Sequence, residues 1–222
     1  MNLVIALPGN SYSNVWVFNH LLQFLDYLQR KGIKFVLSPS GGSNISQVRE
    51  NIMGYKKDLS IGPLEELPGW DATLWIDSDI LWSADDFNTL VEMNVDVASG
   101  FYIMEPASAH LVNGKLTANW DQIGDTVPTL QYPEIKDLTK PVETLTGAMG
   151  FCLIRKKVYQ ALKRPYFSSG AFIFPKGNSR FVGEDVSFFL RVRQAGFKIW
   201  SHPKVIVTHY KLTPWNVKTL GF

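Results

Sequence analysis

The sequence predicts an α/β fold in which a mostly parallel central sheet is flanked by helices. Three observations support this prediction. Short apolar runs without period-2 alternation, a pattern typical of strands covered on both faces, alternate with stretches that repeat apolar residues at helical spacing. Gly- and Pro-containing turns separate these stretches. The chain has 222 residues, of which 45% are hydrophobic, and this length fits one domain with a substantial core.

The beginning of the chain predicts a strand, a helix and a second strand. Leu3 to Leu7 is an apolar run closed by Pro8-Gly9-Asn10, so we expect a buried strand followed by a turn. The helix that follows has an apolar stripe at i, i+3, i+4, i+7 and i+10. The stripe consists of Phe18, Leu21, Leu22, Leu25 and Leu28. Ile33 to Leu37 predicts the next strand, and the loop from Ser38 to Asn44 is rich in backbone donors that can approach a ligand.

A second helix is predicted after this loop. Ser43 is a candidate N-cap, and Ile45, Val48 and Ile52 would then face inward. Arg49 lies on another face near the same edge of the sheet, where its guanidinium could pair with a phosphate. The alternative interpretation is that Arg49 is an ordinary exposed helix cation.

Two carboxylates follow another apolar run, which predicts a central strand. The run from Ala72 to Ile76 ends at Asp77-Ser78-Asp79, and ligands of open α/β sheets bind outside the carboxyl ends of the strands. Mg²⁺ or Mn²⁺ suits carboxylate and phosphate oxygens, so this Asp-x-Asp is a candidate site for a divalent metal that holds a diphosphate. The alternative is a solvated turn.

The middle of the chain is less regular. Ser83 to Asp86 resembles a capping box, and Val95 to Ile103 predicts a strand. Met104 to Lys140 has little pattern apart from Asn113-Gly114, a dipeptide that favours a tight hairpin. We expect this long segment to form one wall of the site, on the side where a second substrate, the acceptor, would bind.

The segment after this wall contains two glycine-rich stretches. Thr146-Gly147-Ala-Met-Gly150 predicts a kink or bulge where the backbone can approach a ligand closely. Ser168 to Ser179 is rich in Gly, Ser and Pro and predicts a loop.

A second acidic pair and one histidine complete the set of candidate site residues. Glu184 and Asp185 follow Gly183 and open a helix closed by Gly196, where the helix dipole favours ionised carboxylates. Dipole compensation alone would explain them, but another carboxylate pair at a strand end favours a functional role. His209 stands at the end of a short strand, and neutral imidazole is a good ligand for Mn²⁺.

Composition excludes several classes of function. The net charge is only +2 and no long basic run is present, so we expect no nucleic-acid groove. The single cysteine, Cys152, excludes an internal disulfide, and its apolar neighbours indicate a buried, inert thiol. We expect a soluble, cytoplasmic protein, in the host cytoplasm if it is viral, because no secretory signal and no apolar run of membrane-spanning length are present.

Taken together, these residues resemble the glycosyltransferase A (GT-A) family, whose nucleotide-sugar-dependent enzymes have a Rossmann-like sheet and a metal-binding Asp-x-Asp. The matching segments run in the family's order over most of the chain. They are Val4 to Asn10, Ser43 to Asn51, Leu74 to Asp79, Thr146 to Arg155, Gly183 to Gly196, and Thr208-His209.

The resemblance implies a role for each candidate residue. Asp79, with Asp77 beside it, would hold Mn²⁺ or Mg²⁺ on the diphosphate, and His209 would be the further metal ligand. Gly147 would lie near the donor sugar. The residues expected to line the nucleotide pocket are Pro8, Gly9, Asn10, Ser43, Arg49 and Ser78.

The resemblance also implies an activity and an organisation. The expected reaction moves a sugar from a nucleoside diphosphate sugar, UDP-linked in the first instance, to a hydroxyl of a glycan or glycoprotein. Asp185 would be the general base of an inverting enzyme, whereas in a retaining enzyme Glu184 or Asp185 would bind substrate hydroxyls. We expect one GT-A domain over residues 1–222, with a nucleotide-binding half, 1–103, and an acceptor-binding half, 104–222. The compact size is similar to that of virus- or bacterium-encoded members, including small chlorella-virus enzymes.

Other functions are compatible with parts of this pattern. A sugar-phosphate nucleotidyltransferase can share the sheet and an acidic metal site, but the segment after the first strand lacks the basic residues expected there. A haloacid-dehalogenase-type phosphatase also uses Asp-x-Asp, although its nucleophile strand comes early in the chain. A non-catalytic glycan-binding module would use exposed tryptophans as stacking platforms. The candidates are Trp16, Trp70, Trp82, Trp120 and Trp215.

Overall fold

The structure is a computed structural model, and it describes residues 1–9, 15–54, 69–103 and 110–210. The first strands are β1 (Asn2–Pro8), β2 (Lys34–Ser40), β3 (Ala72–Ile76), β4 (Ile80–Leu81), β5 (Val97–Phe101), β6 (His110–Gly114) and β7 (Thr129–Gln131). The later strands are β8 (Val142–Thr144), β9 (Phe151–Arg155), β10 (Gly170–Ile173), β11 (Ser179–Val182), β12 (Ile199–Ile206) and β13 (Thr208–His209). The helices are α1 (Val15–Arg30), α2 (Ile45–Ile52), α3 (Ala84–Glu92), α4 (Tyr132–Ile135), α5 (Lys156–Ala161) and α6 (Glu184–Gln194), with a 3-10 turn at Trp120–Gln122.

Seven strands form the central sheet in the order β2-β1-β3-β9-β5-β12-β8. β1 pairs in parallel with β2 and β3, and β5 pairs in parallel with β12. β9 runs antiparallel between β3 and β5, and β8 runs antiparallel along β12. Because five of the seven strands point the same way, the predicted α/β class with a mostly parallel sheet is confirmed.

Helices cover both faces of this sheet. On one face, Leu21 and Phe24 of α1 and Phe87 of α3 pack in one buried cluster with alternate residues of the central strands. On the other face, Val48 of α2 and Phe188 of α6 pack in a second cluster. Every residue of β3 is buried, so this strand lies between two apolar layers, as its unbroken apolar run predicts.

The inward face of α1 differs from the predicted stripe. Leu21 and Leu28 are buried as predicted, together with Val17 and Phe24. Phe18 and Leu22, however, are 44% and 48% exposed. The helix carries apolar residues on more than one face, and contact with the sheet, which periodicity does not reveal, determines which face is buried.

The predicted tight hairpin at Asn113-Gly114 is wrong. Both residues lie inside β6, which pairs with β7 across a loop of residues 115–128. The buried Asn113 amide donates hydrogen bonds to Ser99 Oγ and Ser201 Oγ, at 3.1 and 2.9 Å. This buried network holds β6 against the sheet, so tertiary hydrogen bonding overrides the local turn preference.

Two smaller predictions also need correction. The N-cap of α2 is Asn44 rather than Ser43, because the Asn44 side chain accepts a hydrogen bond from the Gln47 N–H. The segment from Ser168 to Ser179 is not a simple loop, since it contains most of a hairpin in which β10 pairs antiparallel with β11. Within the described ranges, no helix has the length and apolar character needed to cross a membrane.

Candidate active site

The Asp-x-Asp segment forms a turn at the carboxyl end of β3. The Asp77 N–H donates to Gly150 O at 3.0 Å, and the Ile80 N–H closes the turn on Asp77 O at 3.1 Å. Gly9, at the end of β1, has a φ of +148°, and a Cβ at Gly9 would collide with the Ser78 side chain. Glycine therefore allows the turn after β1 to lie directly against the Asp-x-Asp turn.

A short ladder brings His209 to this turn from far along the chain. β13 pairs antiparallel with β4, so that His209 lies opposite Ile80. The Tyr210 N–H donates to Asp79 O at 2.7 Å. As a result, the His209 Nε2 atom lies 3.2 Å from Asp79 Oδ2.

The surroundings of His209 fit a cation between these two side chains. His209 Nδ1 lies 3.1 Å from the Ile103 carbonyl oxygen, which can only accept, so Nδ1 carries a proton and donates. In the neutral ring, the Nε2 lone pair then faces a carboxylate oxygen, and only a cation or an added proton makes that contact favourable. Adjacent ligands of an octahedral Mg²⁺ are separated by about 3.0 Å, close to the observed 3.2 Å.

The third predicted metal ligand, Asp77, has a different partner. The Asp77 carboxylate accepts hydrogen bonds from the Arg49 guanidinium. Arg49 Nη2 lies 3.1 Å from Asp77 Oδ1 and 3.2 Å from Asp77 Oδ2. In the described part of the chain, no group of three or more His, Cys, Asp or Glu side chains is arranged to hold a metal ion. Asp79 and His209 nevertheless fit Mn²⁺ or Mg²⁺, because such ions are commonly held by one or two side chains together with substrate phosphates.

Arg49 is the centre of the buried charges at this edge. It is only 3% exposed, so the alternative of an ordinary surface cation is wrong. Its Nε atom lies 3.4 Å from Glu184 Oε1, and its Nη1 is buried with no hydrogen-bond partner among the described residues. We call the set of Arg49, Asp77, Asp79, Glu184 and His209 the carboxylate edge.

The charges at the carboxylate edge perturb one another. Burial alone would lower the pKa of Arg49, but Asp77, Asp185 and Glu184 outweigh it and raise that pKa. Burial raises the pKa of the Asp77 carboxyl, and Arg49 opposes this rise. Burial and the adjacent Asp185 raise the pKa of Glu184. Such perturbed groups at the end of a sheet are typical of functional sites.

Sequence reasoning missed two residues of this site, Tyr102 and Gly150. The Tyr102 ring packs edge-on against His209 with centroids 5.1 Å apart, and burial raises the pKa of its hydroxyl. A Cβ at Gly150 would lie 2.8 Å from Tyr102 Oη and 3.1 Å from Asp77 Oδ2. Gly150 belongs to the glycine stretch identified in the sequence, but only the fold shows that it makes room beside Asp77.

Gly147 serves the packing of the core in this structure. A Cβ there would lie 2.9 Å from the Phe189 ring and 3.2 Å from Ser99 Cβ. Its predicted proximity to a donor sugar stays a prediction.

Two of the remaining predicted nucleotide-binding residues lie in the described part of the chain. Pro8 ends β1, next to Gly9. Ser43 lines a cavity of about 620 Å³ between the N-terminus of α2 and the segment from Pro165 to Ser169. Asn10 lies outside the described residues.

Asp185 faces a second, smaller cavity beside the carboxylate edge. Gly183 caps α6, and Asp185 Oδ1 accepts the Val186 N–H at 2.7 Å. The cavity has a volume of about 330 Å³, and we call it the valine cavity. Its lining residues are Val112, Gly114, Val127, Thr129, Thr146, Arg180, Phe181, Val182, Gly183, Asp185 and Val186. Part of the predicted acceptor-side wall, residues 110–140, thus borders Asp185.

Comparisons with known proteins support the fold. A scan of family models gives no match, and no curated protein sequence matches the chain. Among solved structures, A197 from STIV superposes with a TM-score of 0.55 at 16% identity, covering 97% of both chains. GalNAc-T7, solved with UDP, GalNAc and Mn²⁺, superposes with a TM-score of 0.50 at 14% identity. That match covers 97% of this chain and 45% of GalNAc-T7. The chain therefore has a GT-A-like fold.

Proposed function

We propose that this protein is a metal-dependent glycosyltransferase that moves a sugar from a nucleoside diphosphate sugar to an acceptor hydroxyl. A UDP-sugar is the first donor to test, since GalNAc-T7, which shares the fold, was solved with UDP and Mn²⁺. The acceptor is a glycan, a glycoprotein or another molecule that carries a hydroxyl.

One observation carries this proposal. Asp79 and His209 are 130 residues apart in sequence, yet their side chains lie 3.2 Å apart at the carboxyl end of β3. Their carboxylate and imidazole are suitable ligands for Mn²⁺ or Mg²⁺. When bound, such an ion would neutralise the charge that develops on the departing diphosphate.

The carboxylate edge supplies the other groups of the donor site. The buried Nη1 of Arg49 has no hydrogen-bond partner among the described residues, and a phosphate oxygen is a suitable partner for it. Asp77 and Glu184 hold the guanidinium in place at 3.1 and 3.4 Å. The donor-binding residues we assign are Pro8, Gly9, Asn10, Ser43, Arg49, Asp77, Ser78, Asp79 and Gly147.

The transfer step exchanges one bond for another. The acceptor oxygen forms a bond to the anomeric carbon, and the bond from that carbon to the diphosphate oxygen breaks. Its electron pair leaves on the nucleoside diphosphate, and the acceptor proton passes to a base.

Asp185 is the residue we assign as this base. Glu184 is held by Arg49, whereas Asp185 lines the valine cavity, where an acceptor can reach it. In a retaining reaction, Glu184 or Asp185 would instead bind substrate hydroxyls. An NMR spectrum of the product distinguishes the two courses by its anomeric configuration.

Release of nucleoside diphosphate tests the proposal. The protein is incubated with Mn²⁺ and a panel of nucleoside diphosphate sugars, with and without simple glycoside acceptors. We expect release by the wild type and a loss on the order of 100-fold in Asp79→Ala. The control Asp85→Asn removes an exposed carboxylate in the first turn of α3 and should behave as the wild type. No release with any donor, or equal release by Asp79→Ala, contradicts the proposal.

The glycan-binding alternative has little support from the tryptophans. Trp70 and Trp82 are only 6% and 5% exposed, whereas Trp16 is 59% exposed. Trp120 is partly buried against an apolar cluster, and Trp215 lies outside the described residues. Glycan retention without donor turnover would favour this alternative.

A further inference from the structure

We infer that the valine cavity selects acceptors whose hydroxyl is attached to an apolar group, such as an alkyl or aryl aglycone, over acceptors that are purely polyhydroxylated. This inference rests on the proposed function, because it assigns the valine cavity to the acceptor of that reaction. It adds the chemical class of the acceptor.

The first argument comes from the walls of the valine cavity. Four valines line it, and three of them, Val112, Val127 and Val186, are only partly buried. Partly exposed apolar side chains that converge in a concave site favour an apolar ligand, because covering them removes apolar surface from water.

The second argument comes from the polar groups of the same walls. Thr146 Oγ1 accepts the Gly114 N–H at 2.8 Å, and Thr129 Oγ1 lies 3.0 Å from His110 Nδ1. One oxygen of Asp185 accepts the Val186 N–H. Apart from the exposed Arg180, the polar side chains of the wall thus already have protein partners. A sugar chain inside the valine cavity would therefore leave many of its hydroxyls poorly paired.

The third argument comes from the rim. Phe181 of β11 lines the valine cavity and is 73% exposed. An exposed apolar ring at the edge of the cavity indicates where the apolar group of an acceptor leaves it.

A larger cavity of the protein differs in character. The cavity that Ser43 lines also contains Asn44, Ser46, Gln47, Ser168 and Ser169. Hydroxyl and amide groups dominate that surface, whereas Asp185 stands among valines. The contrast supports placing the apolar group of the acceptor in the valine cavity, next to Asp185.

Binding of two glycosides that share one sugar tests the inference without a donor. Methyl-labelled protein is titrated with octyl β-glucoside, below the concentration at which it forms micelles, and with methyl β-glucoside, and the valine methyl NMR signals are followed. We expect octyl β-glucoside to bind about tenfold tighter or more, because each buried methylene adds favourable free energy. The shifted signals should be those of Val112, Val127 and Val186.

Variants locate this binding. Phe181→Ser and Val186→Thr should each weaken octyl β-glucoside binding by about threefold or more, with circular dichroism and melting temperature confirming the fold. Val186→Thr keeps the shape of the side chain but replaces one methyl group with a hydroxyl. Ile173→Ser is the matched control, since Ile173 is equally exposed but does not line the valine cavity, and it should bind as the wild type.

The outcomes separate this inference from the proposed function. Equal affinity for the two glycosides, or equal weakening by Ile173→Ser and Phe181→Ser, overturns the inference. Donor release that depends on Asp79 would still support the glycosyltransferase in that case. If octyl β-glucoside binding follows the expected pattern but no donor is turned over, the assignment of an apolar ligand to the valine cavity holds and the proposed function fails.

Discussion

The carboxylate edge and the valine cavity meet at two consecutive residues, yet they are built in opposite ways. Glu184 contacts the buried Arg49 at 3.4 Å, and Asp185 lines the valine cavity. Neighbouring residues of a helix point in directions about 100° apart, so the first turn of α6 can serve both regions. One region is a network of buried charges with fixed partners, and the other is an apolar surface with an exposed rim.

This difference indicates what each region can tolerate. A buried charge that loses its partner costs several kcal/mol, so the carboxylate edge depends on every member. The exposed apolar side chains on the rim of the valine cavity have no charged partner to lose. Substitutions there should therefore alter ligand choice more than stability. The predictions below test this contrast, beginning with the largest effect.

Arg49→Met should be the most damaging single change. It leaves the partly buried Asp77 and Glu184 without their common cation, and we expect a loss of about 3–5 kcal/mol in the free energy of unfolding. Arg180→Met in the valine cavity removes an exposed arginine and should cost about 0.5 kcal/mol or less. Denaturant unfolding measures both, and equal losses would show that the two regions do not differ as described.

His209→Ala should weaken Mn²⁺ binding. The imidazole lies 3.2 Å from Asp79, and removing one of the two proposed protein ligands should reduce affinity on the order of tenfold or more. Calorimetry or electron paramagnetic resonance of added Mn²⁺ measures this directly. Asp185→Asn should keep the wild-type affinity, and an equal loss there would contradict the separation of the two regions.

Gly9→Ala should be strained, whereas Gly170→Ala should not. Gly9 has a φ of +148° and no room for a Cβ beside Ser78, so we expect a loss of about 1–3 kcal/mol. A Cβ at Gly170, in the hairpin beside the valine cavity, meets nothing within 4 Å, and alanine there should change stability by about 0.5 kcal/mol at most. Comparison of thermal unfolding of the two variants tests the prediction.

Two glutamates should give opposite pH dependence of stability. Burial and Asp185 raise the pKa of Glu184, so the folded state binds its proton more tightly and this contribution to stability falls as pH rises above the ordinary carboxyl range. Glu134, which follows β7, has a lowered pKa because Lys115 donates to it. Its contribution is therefore present above the ordinary carboxyl pKa and lost as pH falls.

Glutamine variants isolate these two contributions. Glu184→Gln should gain stability relative to the wild type as pH increases from about 4 to about 7. Over the same interval, Glu134→Gln should lose stability relative to the wild type. Melting temperatures measured across the range provide the test, and slopes of the same sign would contradict the assignment.

The sequence predicted the elements that depend on local chemistry. The run from Ala72 to Ile76 became β3 with the bounds expected, because a short, mostly apolar stretch that ends at charged residues typically forms a buried strand. The capping box of Ser83 and Asp86 formed as predicted. The predicted helix after Gly183 also formed as α6, with Gly196 at a φ of +89° after its end.

The errors came from features that depend on the rest of the fold. Asn113 favours a turn locally, but three partners in β5 and β12 hold its amide against the central sheet. Phe18 and Leu22 have the right spacing for a core face, but the sheet lies on another side of α1. The signal that could have identified Gly150 was the glycine stretch itself, although nothing in it distinguishes Gly150 from Gly147.

By itself, the sequence determined the α/β class, the order of β1, α1, β2, α2, β3 and α3 along the chain, and the placement of carboxylates where a strand stops. These follow from apolar periodicity and from turn and cap chemistry, which act over a few residues. Only the tertiary structure decided that Asp77 faces Arg49 while Asp79 faces His209. Those contacts join residues 28 and 130 positions apart, and strand pairing and packing, rather than local preference, bring them together.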